Sequence, residues 1–395
     1  MKNGWDTTER LGDLFKTAAG GTPSTTKREY YDGGTIPWLM SGEMRQGVIR
    51  SAKTFITEQG LKNSNAKVFP KETVVIALYG ATAGQVGILE IEAATNQAVF
   101  GIYPNSRFAP KFIFYLLLSR YEDLVSQAVG NAQPNLSGLK IKNVPVPSIA
   151  LSEQRRIVGI LDEAFEGLVT AKANAEQNLQ NARALFESHL QAVFTQRGDG
   201  WKDQTLDQIC IVERGSSPRP IKDYFTTKED GVNWIKIGDT EQGGKYVYST
   251  AQKITSEGAK RSTFVKEGDF ILTNSMSFGR PYIMKISGYI HDGWFALRLN
   301  VSIDSDYLYY LLSSKVVQSQ FTRLASGSVV LNISGDLVKQ AVLPIAPLSQ
   351  QHKIVEALMA LSGETQRLES LYQRKLAALD ELKKSLLHRA FSGQL

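Results

Sequence analysis

Two long stretches of the chain place apolar residues at spacings of three, four and seven. The first runs through Ile157, Leu161, Phe165, Leu168, Ala175, Leu179, Ala182, Phe186, His189 and Val193. The second runs through Ile354, Leu358, Leu361, Thr365, Leu368, Tyr372, Leu379, Leu382, Leu386 and Ala390, and no proline interrupts either. So narrow a seam predicts helices that pair with another helix, because a helix lying on a globular surface carries a wider apolar stripe. Ser152 and Ser349, each just ahead of an acid or amide, are the predicted N-caps. About 43 residues at 1.5 Å rise make a helix of about 65 Å. That is longer than a module of roughly 150 residues is wide, so much of each seam needs a partner. The other helix is the obvious one, in an antiparallel pair. The expected helix–helix seam is Ile157, Leu161, Leu168, Leu179 and Phe186 against Ile354, Leu358, Leu368, Leu379 and Leu386.

Ahead of each helix the pattern changes. Lys67–Leu78 reads as a strand ending in a glycine-rich turn, and Gln85–Ile91 and Ala98–Tyr103 read as further strands. Pro110–Val129 has helical spacing. Val144-Pro145-Val146-Pro147 reads as extended, because each proline bars the residue before it from helix.

The same letters then return. Gly4-Trp5 recurs as Gly200-Trp201, Gly20-Gly21-Thr22-Pro23 as Gly215-Ser216-Ser217-Pro218, and Pro37-Trp38-Leu39 as Asn233-Trp234-Ile235. Gly42-Glu43 recurs as Gly238-Asp239, and Phe69-x-Lys71-Glu72 as Phe264-x-Lys266-Glu267. Asn135-Leu136-Ser137 recurs as Asn332-Ile333-Ser334, and Leu151-Ser152-Glu153-Gln154 as Leu348-Ser349-Gln350-Gln351. The offset stays between 195 and 197, which marks a tandem duplication. The expected fold is α+β. Two α/β modules, residues 1–150 and 198–347, are separated by two long antiparallel coiled-coil helices, residues 151–197 and 348–395, in a pseudo-twofold arrangement.

A net charge of +6 suits a polyanionic partner without demanding one. The single cysteine, Cys210, can form no internal disulfide, and four scattered histidines argue against a structural zinc site. The longest apolar run, Phe112–Leu118, is too short to span a bilayer, and no signal peptide is visible, so the expectation is a cytoplasmic chain without membrane contact.

Two inverted modules at fixed separation match the repeat of duplex DNA, whose major-groove face returns every 34–36 Å. The modules share a framework and differ at the loop tips. Tyr79-Gly80-Ala81-Thr82-Ala83-Gly84-Gln85 in the first faces Asn274-Ser275-Met276-Ser277-Phe278-Gly279-Arg280 in the second. Ser24 faces Arg219, and Asn96-Gln97 faces His291-Asp292. Gln pairs bidentately with adenine and Arg with guanine, which makes Gln85 and Arg280 candidate base readers. The candidate DNA-binding residues of the first module are Thr22, Pro23, Ser24, Lys27, Tyr79, Ala81, Thr82, Gln85, Asn96 and Gln97. Those of the second are Ser216, Ser217, Arg219, Lys222, Asn274, Ser275, Ser277, Phe278, Arg280 and His291. Asn135-Leu136-Ser137 and Asn332-Ile333-Ser334 could cap a turn or approach DNA, and the turn cap is the favoured reading.

No catalytic constellation emerges. There is no Walker A motif, no G-x-S-x-G, no H-E-x-x-H and no Asn-Pro-Pro-aromatic run, and the repeats share no catalytic-looking acid pair. The expectation is a non-catalytic binding chain with no cofactor or metal of its own. An enzyme with an unfamiliar site, and a coiled-coil adaptor carrying other binding modules, stay open as alternatives.

Several motifs together carry a resemblance. They are Gly20-Gly21-Thr22-Pro23-Ser24, Ile36-Pro37-Trp38-Leu39 with Ser41-Gly42-Glu43, Gly80-Ala81-Thr82-Ala83-Gly84, and Thr95-Asn96-Gln97-Ala98. Pro147 to Val158 and Leu386 to Leu395 complete the set. In this order they resemble the specificity subunits of type I restriction–modification systems, over the whole chain. The second half departs from the pattern, lacking Gly-Ala-Thr-Ala-Gly and Thr-Asn-Gln-Ala. The resemblance implies two target recognition domains, two helical spacers and a bipartite, asymmetric DNA target. It implies two methyltransferase subunits that methylate adenine N6 with S-adenosylmethionine, and restriction subunits that use ATP and magnesium, in a prokaryotic cytoplasm. A specificity subunit of another phage-defence methyltransferase assembly is the alternative within the same family.

Overall fold

The computed structural model describes residues 5–126, 135–241, 243–274, 279–325 and 334–395. The chain folds as two compact units: Met1–Glu176 with Arg374–Leu395, and Gln177–Gln373.

In the first unit a five-stranded sheet has the order Thr17–Ala19, Val99–Ile102, Val74–Ala77, Val86–Leu89, Val48–Ile49. All neighbours are antiparallel except the last pair. A second sheet orders Thr54–Ile56, Ile36–Leu39, Ala93–Thr95 and Val68–Phe69. Alternation along the strands divides the core. Val74, Ile76, Val86, Ile88, Phe100 and Ile102 face the helices, while Val75, Ala77, Leu89 and Val99 face Leu39, Phe69 and Ala93 of the second sheet. The unit is thus three layers deep, with a further small core of Trp38, Ile56, Ala66 and Ala94.

The second unit repeats this plan. Its first sheet orders Cys210–Arg214, Trp294–Leu299, Phe270–Thr273, Pro281–Met284, Tyr246–Val247. Its second orders Gln252–Ile254, Val232–Ile235, Gly288–Ile290, Thr263–Val265, with Phe225–Thr226 added at one edge. The order of the shared strands is the same in both units, so the duplication read in the sequence is a duplication of structure.

The two predicted long helices span Leu151–Gln196 and Leu348–Ser392. Their ends complete the module cores. In the first unit Ile157 and Leu161 of one helix and Leu387, Ala390 and Phe391 of the other lie in the same core as Phe112 and Leu116. In the second, Leu190 and Phe194 join Val355, Leu358, Tyr307 and Leu311. Within each unit the helices run antiparallel. Lys172 pairs with Asp380 at 3.0 Å and Arg156 donates to the Leu395 carbonyl in the first, and Arg183 pairs with Glu369 at 2.9 Å in the second. Ala175, Ala182 and Thr365 are buried on the seam, and Leu168, Leu179, Phe186, Ile354, Leu368, Leu379 and Leu386 are half-buried. Two seam assignments change. His189 is exposed and Leu190 is buried instead, because Leu190 packs into the module core beside Phe194. Leu382 is 48% exposed.

The predicted caps also change. Each helix begins one residue before the serine, and the Ala150 and Pro347 carbonyls accept the first backbone bonds. The anchoring falls to the glutamines two residues on. Gln154, fully buried, accepts from Ala109 N at 2.9 Å and donates to the Arg107 and Ile149 carbonyls at 3.1 and 3.0 Å. Gln351 accepts from Asp304 N and donates to the Ala346 carbonyl, both at 2.8 Å.

Three further expectations are refined. Lys67–Leu78 is two strands, Val68–Phe69 and Val74–Ala77, because Glu72 takes a positive φ of 68° and turns the chain between them. Pro110–Val129 breaks at Arg120 into Pro110–Ser119 and Tyr121–Ser126, and its last three residues lie outside the described ones. Ser137 and Ser334 do cap short helices, Gly138–Lys142 and Gly335–Lys339.

Truncating a clamp glutamine strands several buried backbone groups. Gln154→Ala and Gln351→Ala should each cost about 3 kcal/mol in chemical denaturation. Lys172→Ala, which removes an exposed ion pair, should cost less than about 1 kcal/mol in the same measurement.

Candidate nucleic-acid interface

Antiparallel register brings the nominated loops of each unit to one end of its first sheet. In the first unit Ala77 pairs with Val99 and Ala19 with Phe100. Gly20 N bonds the Val99 carbonyl, Leu78 N bonds Ala98, and Ala77 N bonds Gln85. The chain therefore leaves the sheet at Gly20–Ser24, leaves it again at Tyr79 and returns at Gln85 and Asn96–Gln97, all at one end. The strand Ile36–Leu39 ends there too, since Asn96 N bonds the Leu39 carbonyl. The second unit places Gly215–Arg219, Asn274, Arg280 and His291–Asp292 alike, through Gly215 N to Trp294 O, Asn274 N to Gly293 O and Thr273 N to Arg280 O.

Close approach locks these turns. A Cβ on Gly20 would overlap the Thr95 hydroxyl and Asn96 carbonyl, and one on Gly215 would overlap the His291 carbonyl. A carboxylate ties each neighbouring loop. Glu43, 6% exposed, accepts from Met40 N at 2.9 Å and Lys53 N at 3.1 Å. Asp239 accepts from Lys236 N at 2.7 Å and Ala251 N at 3.0 Å. The recurrent Gly-Glu and Gly-Asp pairs are thus loop struts.

On this frame the tips carry different chemistry. In the first unit the Thr22 hydroxyl donates to Gln97 Oε1. Ser24 bonds Thr26, and the Pro23 carbonyl accepts from Tyr31. Lys27 is exposed and donates to the Tyr30 hydroxyl at 3.1 Å, and that bond holds its ammonium above the usual lysine range. At the same place in the second unit the Ser217 hydroxyl donates to Asp292 Oδ1 at 2.9 Å, and Arg219 donates to Asp292 Oδ2 at 3.0 Å. Partial burial pulls the Asp292 carboxyl upward. The Ser217 hydroxyl, a backbone N–H, His291 and Arg219 outweigh that and hold it below the usual carboxylate range. Lys222 is exposed beside this group.

Gln85 and Arg280 occupy equivalent places that face the helical layer, apart from the Thr22–Gln97 and Ser217–Asp292 pairs. Gln85 reaches the Tyr121 hydroxyl at 3.5 Å and borders a groove with Arg120, Lys383, Lys384 and His388. Arg280 borders a hollow with Tyr309, Ser313 and Gln318. Tyr79 and Ala81 are exposed and Thr82 half-buried, its hydroxyl turned to the Tyr79 carbonyl.

Three nominated residues of the second module are framework, and three more lie outside the described ones. Asn274 is only 2% exposed. Its backbone bond to Gly293 matches that of Leu78 to Ala98, so it replaces buried Leu78 rather than exposed Tyr79. Ser216 donates to the Arg261 carbonyl. His291 accepts from Gly293 N through Nδ1, and burial holds its imidazole below the usual range. Ser275, Ser277 and Phe278 lie outside the described residues. Asp292 was not nominated, although the repeat offset sets it opposite Gln97. Met40, 45% exposed beside Asn96, and its counterpart Lys236 had no motif to reveal them.

The buried Cys210 thiol, pushed up to about 12 by burial and the nearby Asp207, donates to the Leu206 carbonyl and takes no part in this surface. Among the described residues no group of three or more His, Cys, Asp or Glu is placed to hold a metal ion.

Comparison with known proteins agrees with this architecture. Residues 2–180 and 198–375 each match the family model of the type I restriction modification DNA specificity domain. The chain is 28% identical over 427 residues to the MjaIX specificity subunit of Methanocaldococcus jannaschii, covering 99% of this chain and 93% of that one. It is also 28% identical over 158 residues to the EcoR124I/EcoR124II specificity subunit of Escherichia coli, a match spanning 39% of each. A solved chain from a study of complex assembly and conformational transition of the type I restriction–modification system superimposes with a TM-score of 0.83 over 99% of this chain and 98% of that one, at 20% identity, which establishes the shared fold. The two matched domains cover most of the sequence, and the chain belongs to the type I restriction–modification DNA specificity family.

Proposed function

We propose that each loop end reads one half of a bipartite, asymmetric target in double-stranded DNA, and that the chain thereby positions the enzymes of a restriction–modification complex. One observation carries this reading. Two frames of the same strand order hold corresponding side-chain pairs of different chemistry, neutral Thr22–Gln97 in one and charged Ser217–Asp292–Arg219 in the other. A retained frame with altered exposed donors and acceptors is what two readers of different sequences require, because base pairs differ in the major groove only by their pattern of donors, acceptors and methyl groups.

In this reading Tyr79, Ala81 and Thr82 extend the first surface, Lys27 and Lys222 hold phosphates, and Gln85 and Arg280 lie toward the helical side of each surface. Two adenine-N6 methyltransferase subunits and restriction subunits are the partners. S-adenosylmethionine, ATP and magnesium then belong to those partners. The description of the solved neighbour in terms of type I complex assembly supports a multi-subunit role. No described helix is long and apolar enough to cross a membrane, and a DNA-reading role suits a prokaryotic cytoplasm.

Replacing residues 1–150 by the corresponding module of a relative should change one half of the target and leave the other intact, as read by genome-wide adenine-methylation mapping. A change in both halves would show that the readers are not independent. Lys27→Ala and Lys222→Ala should weaken binding to all sequences alike and lower the slope of log affinity against log salt by about one each, measured by titration of labelled duplex.

A further inference from the structure

We propose that Arg219 reads the guanine of a G·C pair in the half-site of the second module, with Asp292 as the residue that positions it. The inference rests on the DNA-reading role of the loop ends and adds the base. Arg219 is 80% exposed, yet it is not a free surface cation. One terminal nitrogen is held by Asp292, whose other oxygen is fixed by Ser217. Prolines on both sides, Pro218 and Pro220, restrict the backbone that displays it, and Pro218 is buried. The Asp292 bond and the flanking prolines favour one pose of the guanidinium, whose other nitrogens hydrogen-bond nothing among the described residues, at a hollow of about 730 Å³ running along Ser217–Lys222 and Asp292.

Charge decides between phosphate and base. A phosphate approaching Arg219 would also meet the Asp292 carboxylate, and that like-charge contact opposes it. A base edge brings no such conflict. A guanidinium fork matches guanine O6 and N7, and a neighbouring carboxylate can accept from cytosine N4, so the Arg–Asp pair presents the complement of one G·C pair. At the matching place in the first module Ser24 and Gln97 carry no charge, which confines this reading to the second half-site.

The test uses the full chain, affinity-purified with its natural assembly, on a randomised duplex pool whose selected members are sequenced. The second half-site is the one that survives replacement of residues 1–150. The wild type should select G·C at one fixed position there. Arg219→Ala should lower that preference by roughly 10- to 100-fold while leaving the other positions unchanged. Asp292→Asn should lower the preference at that same position and at no other. Placing 7-deazaguanine at that position, which removes the N7 acceptor, should weaken wild-type binding and leave Arg219→Ala unaffected. Uniform weakening of Arg219→Ala on all sequences, with a salt slope lower by about one, would make Arg219 a phosphate contact and overturn the inference alone. An unchanged motif would overturn it too. A wild type that enriches no sequence would overturn the DNA-reading role and the inference together.

Discussion

A glutamine side chain cut off from solvent must satisfy both its oxygen and its nitrogen within the protein. Gln154 does so on three backbone groups, the Ala109 N–H and the Arg107 and Ile149 carbonyls. Ala109 and Arg107 flank the start of the helix Pro110–Ser119, which packs on the first sheet through Phe112 and Leu116, while Ile149 lies just before the long helix itself. The amide therefore fixes the first turns of the long helix to the layer that supports the strands. Hydrophobic packing is non-directional and would tolerate a helix rotated or slid by a fraction of a turn. Three short directional bonds in a dry setting would not. Gln351 repeats the device against Asp304 and Ala346. In each unit the glutamine thus ties the start of the long helix to the layer that packs on the sheet.

The duplication separates what the frame needs from what the tips are free to vary. The glycine at Gly20 and Gly215 recurs because backbone atoms leave no room for a Cβ. The carboxylates Glu43 and Asp239 recur because two backbone N–H groups in each loop need an acceptor. Gln97 and Asp292 differ, yet each accepts a hydroxyl hydrogen from the same place, Thr22 or Ser217. The hydroxyl contact belongs to the frame, and what the side chain offers beyond it, an amide at Gln97 or a carboxylate paired with Arg219 at Asp292, differs between the units.

Much of this was legible in the sequence, and the failures have local causes. The long helices, the duplication and the loops that converge came from periodicity and a constant offset. The caps at Ser152 and Ser349 did not hold, because the preceding residues already supply the first carbonyl and the serines fall inside the helix. The constant offset sets Asn274 opposite Tyr79. The loop after Phe270–Thr273 is one residue shorter than that after Val74–Ala77, so the backbone pairing matches Asn274 with Leu78 instead. His291 read as a polar tip, but its ring packs near Trp234 and Trp294 and its Nδ1 holds a turn. Burial of a polar side chain at a strand end is set by tertiary packing, which a single sequence does not display.

The frame also explains why divergence at the tips carries little risk for the fold. The cores of each unit are filled from strands and helices, and the exposed tip groups, Ser24, Gln97, Arg219 and Asp292 among them, contribute no apolar surface to those cores. Exchanging them alters exposed hydrogen bonds and ion pairs, whose net worth is about 1 kcal/mol or less. A buried residue has no such freedom, since one lost methylene there is felt in packing. Under the proposed reading, specificity can therefore drift in one module without unfolding it. A chain with two attached copies would then need only one altered tip to acquire a target that differs in one half.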